Sequence, residues 1–527
     1  MSRPEACREV ERIARPSLEE RTRALLEEKL YVEAVLMDTA AWAAIELGKQ
    51  ELRRRLLDAE RALASAAAGD PRIAALNVTD RVRSDRDHDP VEVAARLASA
   101  SGKVPLVHLS GKDRTPADLE RAVQRLSALG LPNVLCVTGD RLKEPPPERR
   151  VPYVDSVDAV GLVKRAWPEA FVAAGVSPYK YTEEETLNQY FKMAKKEAVG
   201  ADYLVTQVGW DMRKLAELAR YRAERGLRRP VVANLMLLPP GVARYLHKGA
   251  VPGVTVTDDL LALVEAEAQA SDRGLAARLD RLALMIVGAE RLGYAGVQLS
   301  TLARYEDVTR VLDLAAGWRA ALPTADAWWQ AWEERLRLPD GRAARLAREP
   351  GFFLYAREPA GLAREPSSAE RRRYRVARTA TRVIFDRWSP LGWALRPLAR
   401  RVRPGSAVEA WLVRLERRVK GPLFGCQTCG FCRLPATFYV CPETCPKGLA
   451  NGPCGGSTNN RCEAGHQECV HSVRYRIAKA VGRLDRLERT LIPPVPEPRG
   501  GSSWANHFAG RSPAVGEIRP GEGSPGP

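Results

Sequence analysis

The chain has 527 residues, with 82 lysines and arginines against 65 aspartates and glutamates, a formal net charge of +17. Its length exceeds what one hydrophobic core usually fills, so several domains are expected. Apolar residues at 45% and charged residues at 28% are ordinary for a globular protein, which excludes wholesale disorder and a collagen-like or fibrous chain.

The opening MSRPEACREVERIARP is charged and lacks an apolar stretch, so no secretory leader is expected. No apolar run approaches the roughly 18 residues of a membrane span. A cytoplasmic protein with no membrane partner is the reading, with residues 1–30 as a helical segment. From 31 to 316, short apolar runs alternate with longer helix-periodic stretches. The strand candidates are Tyr31–Asp38, Ile73–Asp80, Val104–Ser110, Asn133–Asp140, Ala170–Pro178, Asp202–Trp210, Pro230–Leu237 and Gly296–Ser300. Val91–Ser101, Pro116–Leu129, Glu183–Val199 and Met212–Arg225 repeat apolar residues at helical spacing. Nearly continuous apolar strands are buried on both faces, as in a parallel sheet. Eight βα units predict an α/β fold, a (β/α)8 TIM barrel. A doubly wound sheet fits less well, because no GxGxxG follows the first strand.

Residues 317–420 read as a basic helical connector, dense in arginine (Arg371, Arg372, Arg373, Arg375, then Arg396, Arg400, Arg401, Arg403) with Trp318, Trp328, Trp329 and Trp332 upstream. Residues 421–480 form a cysteine-rich module. Residues 481–527, rich in Pro, Gly and Ser from Pro493, read as a flexible tail.

Chemistry in a barrel of this kind gathers where strands end. Several candidates end in polar residues: Asn77-Val78-Thr79-Asp80, His108, Thr138-Gly139-Asp140 and Thr206-Gln207, with Lys196 just ahead of the sixth strand. Each has a plainer reading. Thr79 could cap the next helix, His108 could be a satisfied core histidine, Gly139-Asp140 a turn, and Lys196 a solvated helix end. Gln207, inside an apolar strand, needs a partner. Together they suggest a polar pocket.

The module reads GCQTCGFCRLPATFYVCPETCPKGLANGPCGGSTNNRCEAGHQEC and holds eight of the ten cysteines: Cys426, Cys429, Cys432, Cys441, Cys445, Cys454, Cys462 and Cys469. In a reducing compartment such density binds metal more readily than it forms disulfides. Eight thiolates suffice for two four-ligand sites. C-x2-C-x2-C with a later C-P favours iron–sulfur clusters, and tetrahedral zinc is the competitor. His466 and His471 read first as surface residues and second as replacement zinc ligands.

The segments LNVTD (76–80), VHLSGKD (107–113), NVLCVTGD (133–140), KKEAVGADYLVTQ (195–207) and VVANLMLLPPGVARYLHKGAVPG (231–253) resemble the methylenetetrahydrofolate reductase family. The resemblance covers about residues 25–316 and resumes in the cysteine module, which is similar to the family's C-terminal extension. It implies a flavoprotein, carrying FAD or FMN, that passes a hydride from NAD(P)H to 5,10-methylenetetrahydrofolate, giving the 5-methyl product. It further implies that Thr79, His108, Asp140 and Lys196 contact the flavin, that Asp140 also serves catalysis, and that Gln207 binds the folate pterin. A Gln and an Asp suit a pterin edge of alternating donors and acceptors, and a Lys can stabilise an anionic reduced flavin.

The sequence departs from the family at three places. Val35 stands where the family carries its catalytic Glu, leaving Glu33 and Glu46 as candidates. Gln189 falls near a family aspartate, and Gln298 where the family favours His. A catalytically divergent subunit of a folate or methyl-transfer complex, fed by a redox partner protein, is therefore the alternative reading. A homo-oligomer or hetero-complex is compatible with either. A basic, zinc-containing nucleic-acid binder is the weakest reading, because arginine is not gathered on a recognition helix.

Overall fold

The computed structural model describes residues 61–80, 89–141, 151, 153–302, 304–386, 388–465, 467–496 and 499–519, and the backbone alone of 32–36. Residues 1–30 and Glu46 lie outside the described residues. Two compact units emerge. One is built from residues up to Tyr181 and from Lys196 to Ala360, the other from Thr182–Lys195 and from Gly361 onward.

The first unit is a closed barrel of eight strands in sequence order. They are β1 (Val32–Leu36), β2 (Ile73–Val78), β3 (Leu106–Ser110), β4 (Asn133–Val137), β5 (Phe171–Val176), β6 (Tyr203–Thr206), β7 (Val231–Met236) and β8 (Gly296–Ser300). Every adjacent pair is parallel, and β1 closes on β8. The α/β barrel reading holds. Most observed strands are shorter than the apolar runs, several because the run continues into its βα loop, as Gln207–Trp210 does after β6, whereas β8 coincides with its run. Helix starts follow from local chemistry. Asp89 caps helix 90–101, with Pro90 in the first turn. Thr115 and Asp118 form a capping box on helix 116–128.

Ala75, Leu106, Leu135, Phe171, Ala173, Tyr203, Val205 and Val232 make one buried cluster drawn from six strands. No helix contributes to it, so it fills the barrel interior. Phe171 and Tyr203 stack at 4.8 Å, and the Tyr203 hydroxyl donates to Asn133 Oδ1 at 2.8 Å.

A buried acid at the end of helix 183–198 gives a stability prediction. Burial pushes the Glu197 carboxyl up to about 7, against the pull of Arg222, and its Oε1 has no hydrogen-bond partner among the described residues. The folded state therefore holds this proton more tightly than the unfolded chain, whose carboxyl titrates near about 4.3. Stability from this group is full below that value and is lost as pH rises toward about 7. Glu197→Gln should raise the melting temperature on the alkaline side of the window and leave it unchanged on the acid side. Equal shifts on both sides in calorimetry would contradict this.

In the second unit, helices 368–380, 390–401, 407–424, 470–480 and 503–508 surround the cysteine-bearing loops. Phe191, Phe438, Tyr475, Ile477, Ala478 and Leu487 form its core. The Glu183 carboxylate accepts from the Tyr475 hydroxyl at 2.8 Å and pairs with Lys479 at 2.6 Å. The segment after residue 493 differs from the flexible tail expected. It contains helix 503–508, and 516–517 pairs antiparallel with 490–491. Buried Ala505 and Ile518 supply the apolar anchors that its Pro- and Gly-rich composition concealed.

Candidate functional site

Alternation along each strand carries the interior face one layer beyond the apolar cluster. Two residues after Ala75, Leu106, Leu135, Ala173, Val205 and Val232 come Asn77, His108, Val137, Gly175, Gln207 and Asn234. Gln298 joins this layer because it is in register with Asn234. The layer is polar at five of seven positions and lies toward the strands' C-terminal ends.

Four buried polar atoms here have no partner among the described residues: Nδ2 and Oδ1 of Asn77, Nε2 of His108 and Oε1 of Gln298. Such groups cost free energy unless something satisfies them, so they mark where a polar ligand is received. Gly175 has no side chain in this layer, and a methyl placed there would meet only Val137 at 3.9 Å. Burial lowers the His108 pKa to about 4, with Asp80 pulling the other way, so its ring is neutral at physiological pH. Asn234 Oδ1 is already engaged by Ser300 Oγ at 2.8 Å.

The remaining predicted residues are placed as follows. Thr79 is buried at the end of β2, and the cap of the next helix is Asp89 instead. Asp80 accepts the Ser110 amide at 2.8 Å and pairs with Arg114, bracing the loops. Asp140 is exposed at the rim after Gly139, and its carbonyl accepts from the Tyr153 hydroxyl at 3.0 Å. Lys196 is buried, and its Nζ donates to the Gly175 carbonyl, so it is no solvated helix end. Gln207 Oε1 accepts the Val208 amide at 2.9 Å. Of β1 only register is described: Glu33 pairs with Ala75 and Gln298, and Val35 with Asn77. Asn77 and Gln298 were absent from the residues predicted to bind. The cue applied to Gln207, an amide inside an apolar strand, identifies both.

The cysteine module shows a second arrangement. Cys426, Cys429 and Cys432 all act electrostatically on Cys441. Cys454 and Cys462 act on Cys445, and Cys454 and Cys445 on Cys469. These influences place the thiols near one another in two sets, 426/429/432/441 and 445/454/462/469. Burial drives the Cys441 thiol up to about 12 and the Cys445 thiol up to about 11. Backbone shape is distinctive around the first three cysteines. Thr428 and Gly430 take left-handed φ of 50° and 84°, which turns the chain within each two-residue spacer. Lys420, paired with Glu416 at 2.5 Å, adds positive charge beside Cys432 and Cys426. Lys447 pairs with Glu463, which accepts from Cys454 Sγ at 3.7 Å. Among the described residues no three His, Cys, Asp or Glu side chains are arranged to hold a single metal ion.

Gln189 donates to the Cys454 carbonyl at 2.8 Å, and Lys192 to the Pro453 carbonyl at 3.1 Å. The departure at Gln189 is accounted for: the residue braces a cysteine loop. His471, expected at the surface, is buried, because helix 470–480 packs that face inward. His466 lies outside the described residues.

The family description "Methylenetetrahydrofolate reductase" matches residues 55–313, and "Methylene-tetrahydrofolate reductase C terminal" matches 406–496, together about two thirds of the chain. The chain belongs to the methylenetetrahydrofolate reductase family. The first match takes in β2 to β8 of this reductase-family barrel, and the second takes in all eight clustered cysteines. No curated protein matches significantly. Among solved structures, an uncharacterized protein from Clostridium thermocellum, described as binding two copies of 5-methyl-5,6,7,8-tetrahydrofolic acid, is similar at 12% identity and a TM-score of 0.41. That match covers 57% of this chain and 99% of the other.

Proposed function

We propose that the barrel binds a flavin and reduces 5,10-methylenetetrahydrofolate to 5-methyltetrahydrofolate. The observation that carries this reading is the set of buried atoms on Asn77, His108 and Gln298 that have no partner among the described residues. They offer the mixture of donors and acceptors that the polar edge of an isoalloxazine requires, and Gly175 leaves room beside them. A bound flavin supplies the hydride-carrying ring. Neutral His108 orients it through a hydrogen bond rather than a charge. Thr79 and Lys196 border it, Gln207 holds the pterin edge, and the exposed carboxylate of Asp140 favours the cationic iminium form of the substrate. Glu33, in register with Gln298, is the general-acid candidate in this chain. The two cysteine quartets are metal sites. Iron–sulfur clusters there would accept electrons from a partner protein, whereas zinc would make the module a structural clamp.

Anaerobically purified protein should carry flavin that bleaches with NADH or a reduced partner and recovers with methylenetetrahydrofolate. Bound flavin that the folate fails to reoxidise would refute reductase activity and favour an electron-transferring subunit. Asn77→Leu should weaken flavin binding by about tenfold, the order expected for one buried hydrogen-bonding group. Glu33→Gln should leave flavin content unchanged and lower kcat by about a hundredfold. Full turnover in that variant would remove Glu33 from the mechanism.

A further inference from the structure

The second unit leaves large apolar side chains in water. Trp388 is 85% exposed, Trp393 73% and Trp411 58%, with Val383, Leu391 and Leu398 also exposed. An apolar patch of this kind ordinarily marks a surface that something covers. The stretch bearing it, residues 361–424, has sixteen Lys and Arg against five Asp and Glu, an excess of +11 within the chain's +17.

The charge identifies what kind of surface covers it. A second copy would bring a like excess against this one and be repelled. A protein partner ordinarily keeps charge at the rim of an apolar centre. Here the two are interleaved: Arg382 precedes Val383, Arg396 lies between Trp393 and Leu398, and Arg414 follows Trp411. Arginine stems can lie along apolar material while their heads stay among phosphates, the pattern of helices resting in a lipid interface. A second feature agrees. Val376, Val419 and Leu423 are exposed and also wall a cavity of about 660 Å³, shared with Phe385, Phe431 and Trp504. That apolar space opens among the exposed side chains and is large enough for an alkyl chain. Among the described residues no helix is long and apolar enough to cross a membrane, so attachment would be peripheral.

We propose that helices 368–380, 390–401 and 407–424 dock this protein on an anionic lipid bilayer, with the cavity receiving an acyl chain. The test sediments the full-length protein with vesicles of phosphatidylcholine alone and of phosphatidylcholine with phosphatidylglycerol. The protein should pellet with the anionic vesicles at low salt, show blue-shifted tryptophan emission, and be quenched by brominated acyl chains. The double variant Trp393→Glu, Leu398→Glu should lose binding by about tenfold or more. Its circular dichroism and melting should be unchanged, because both side chains are already in water. Failure to pellet with anionic vesicles overturns the proposal. So does binding that the double variant leaves intact, which would be charge adsorption alone. So does saturable binding to an acidic protein without lipid binding.

Discussion

Gly139→Ala should lower the melting temperature by roughly 6–12 °C and reduce kcat/KM by about a hundredfold. Gly139 has φ +81°, and an added Cβ would fall 2.1 Å from Ser110 Oγ and 2.8 Å from Lys112 Cβ. Neither neighbour can retreat cheaply. Ser110 Oγ accepts the Lys112 amide at 3.1 Å, and the Ser110 amide is held by Asp80, which is itself paired with Arg114. The left-handed conformation alone costs an L-residue about 1–2 kcal/mol. With the displaced loop the total is about 3 kcal/mol, within the range for strain at a special backbone site. The catalytic loss accompanies the stability loss because the turn carries Asp140, and under the proposed mechanism a shift of about 1 Å in that group suffices for such a drop. Thermal melting and steady-state kinetics check both halves. A variant that melts and turns over normally would show that the turn neither carries strain nor positions Asp140.

Cys429→Ala should remove about half of the bound metal, Cys454→Ala the other half, and the double variant all of it. The expectation follows from the proposed pair of four-thiolate sites, in which the loss of one thiolate leaves a three-ligand site that no longer retains its group. Structural metal sites contribute on the order of 10 kcal/mol to folding, so each variant should also open the second unit to proteolysis. Iron and zinc quantified per chain, with the visible spectrum, decide the result and identify the metal. Loss of all metal from either single variant would mean one shared site, and loss of none would mean that the cysteines are not ligands.

The barrel was legible because a parallel strand buried on both faces must be apolar throughout, a pattern that survives without any neighbour's help. The polar strand ends of Thr79, His108, Asp140 and Gln207 stood out against that background for the same reason. Asn77 and Gln298 carried the same cue, yet their place in the polar layer depends on which strand lies beside which. Helix 503–508 was hidden for a related reason: its anchors are few, and the surrounding Pro and Gly dominate local composition.

What the sequence by itself determined was therefore local and periodic: eight strands, a basic stretch, and a thiolate-dense segment set apart from a nearly cysteine-free barrel. Tertiary structure alone decided the pairing of distant residues. It brought the eight cysteines into two neighbouring sets, assigned Gln189 to a cysteine loop, and left polar atoms of Asn77, His108 and Gln298 without partners among the described residues of one interior. These are consequences of closure, in which register and left-handed turns bring together groups far apart in the chain, and no linear spacing encodes those distances.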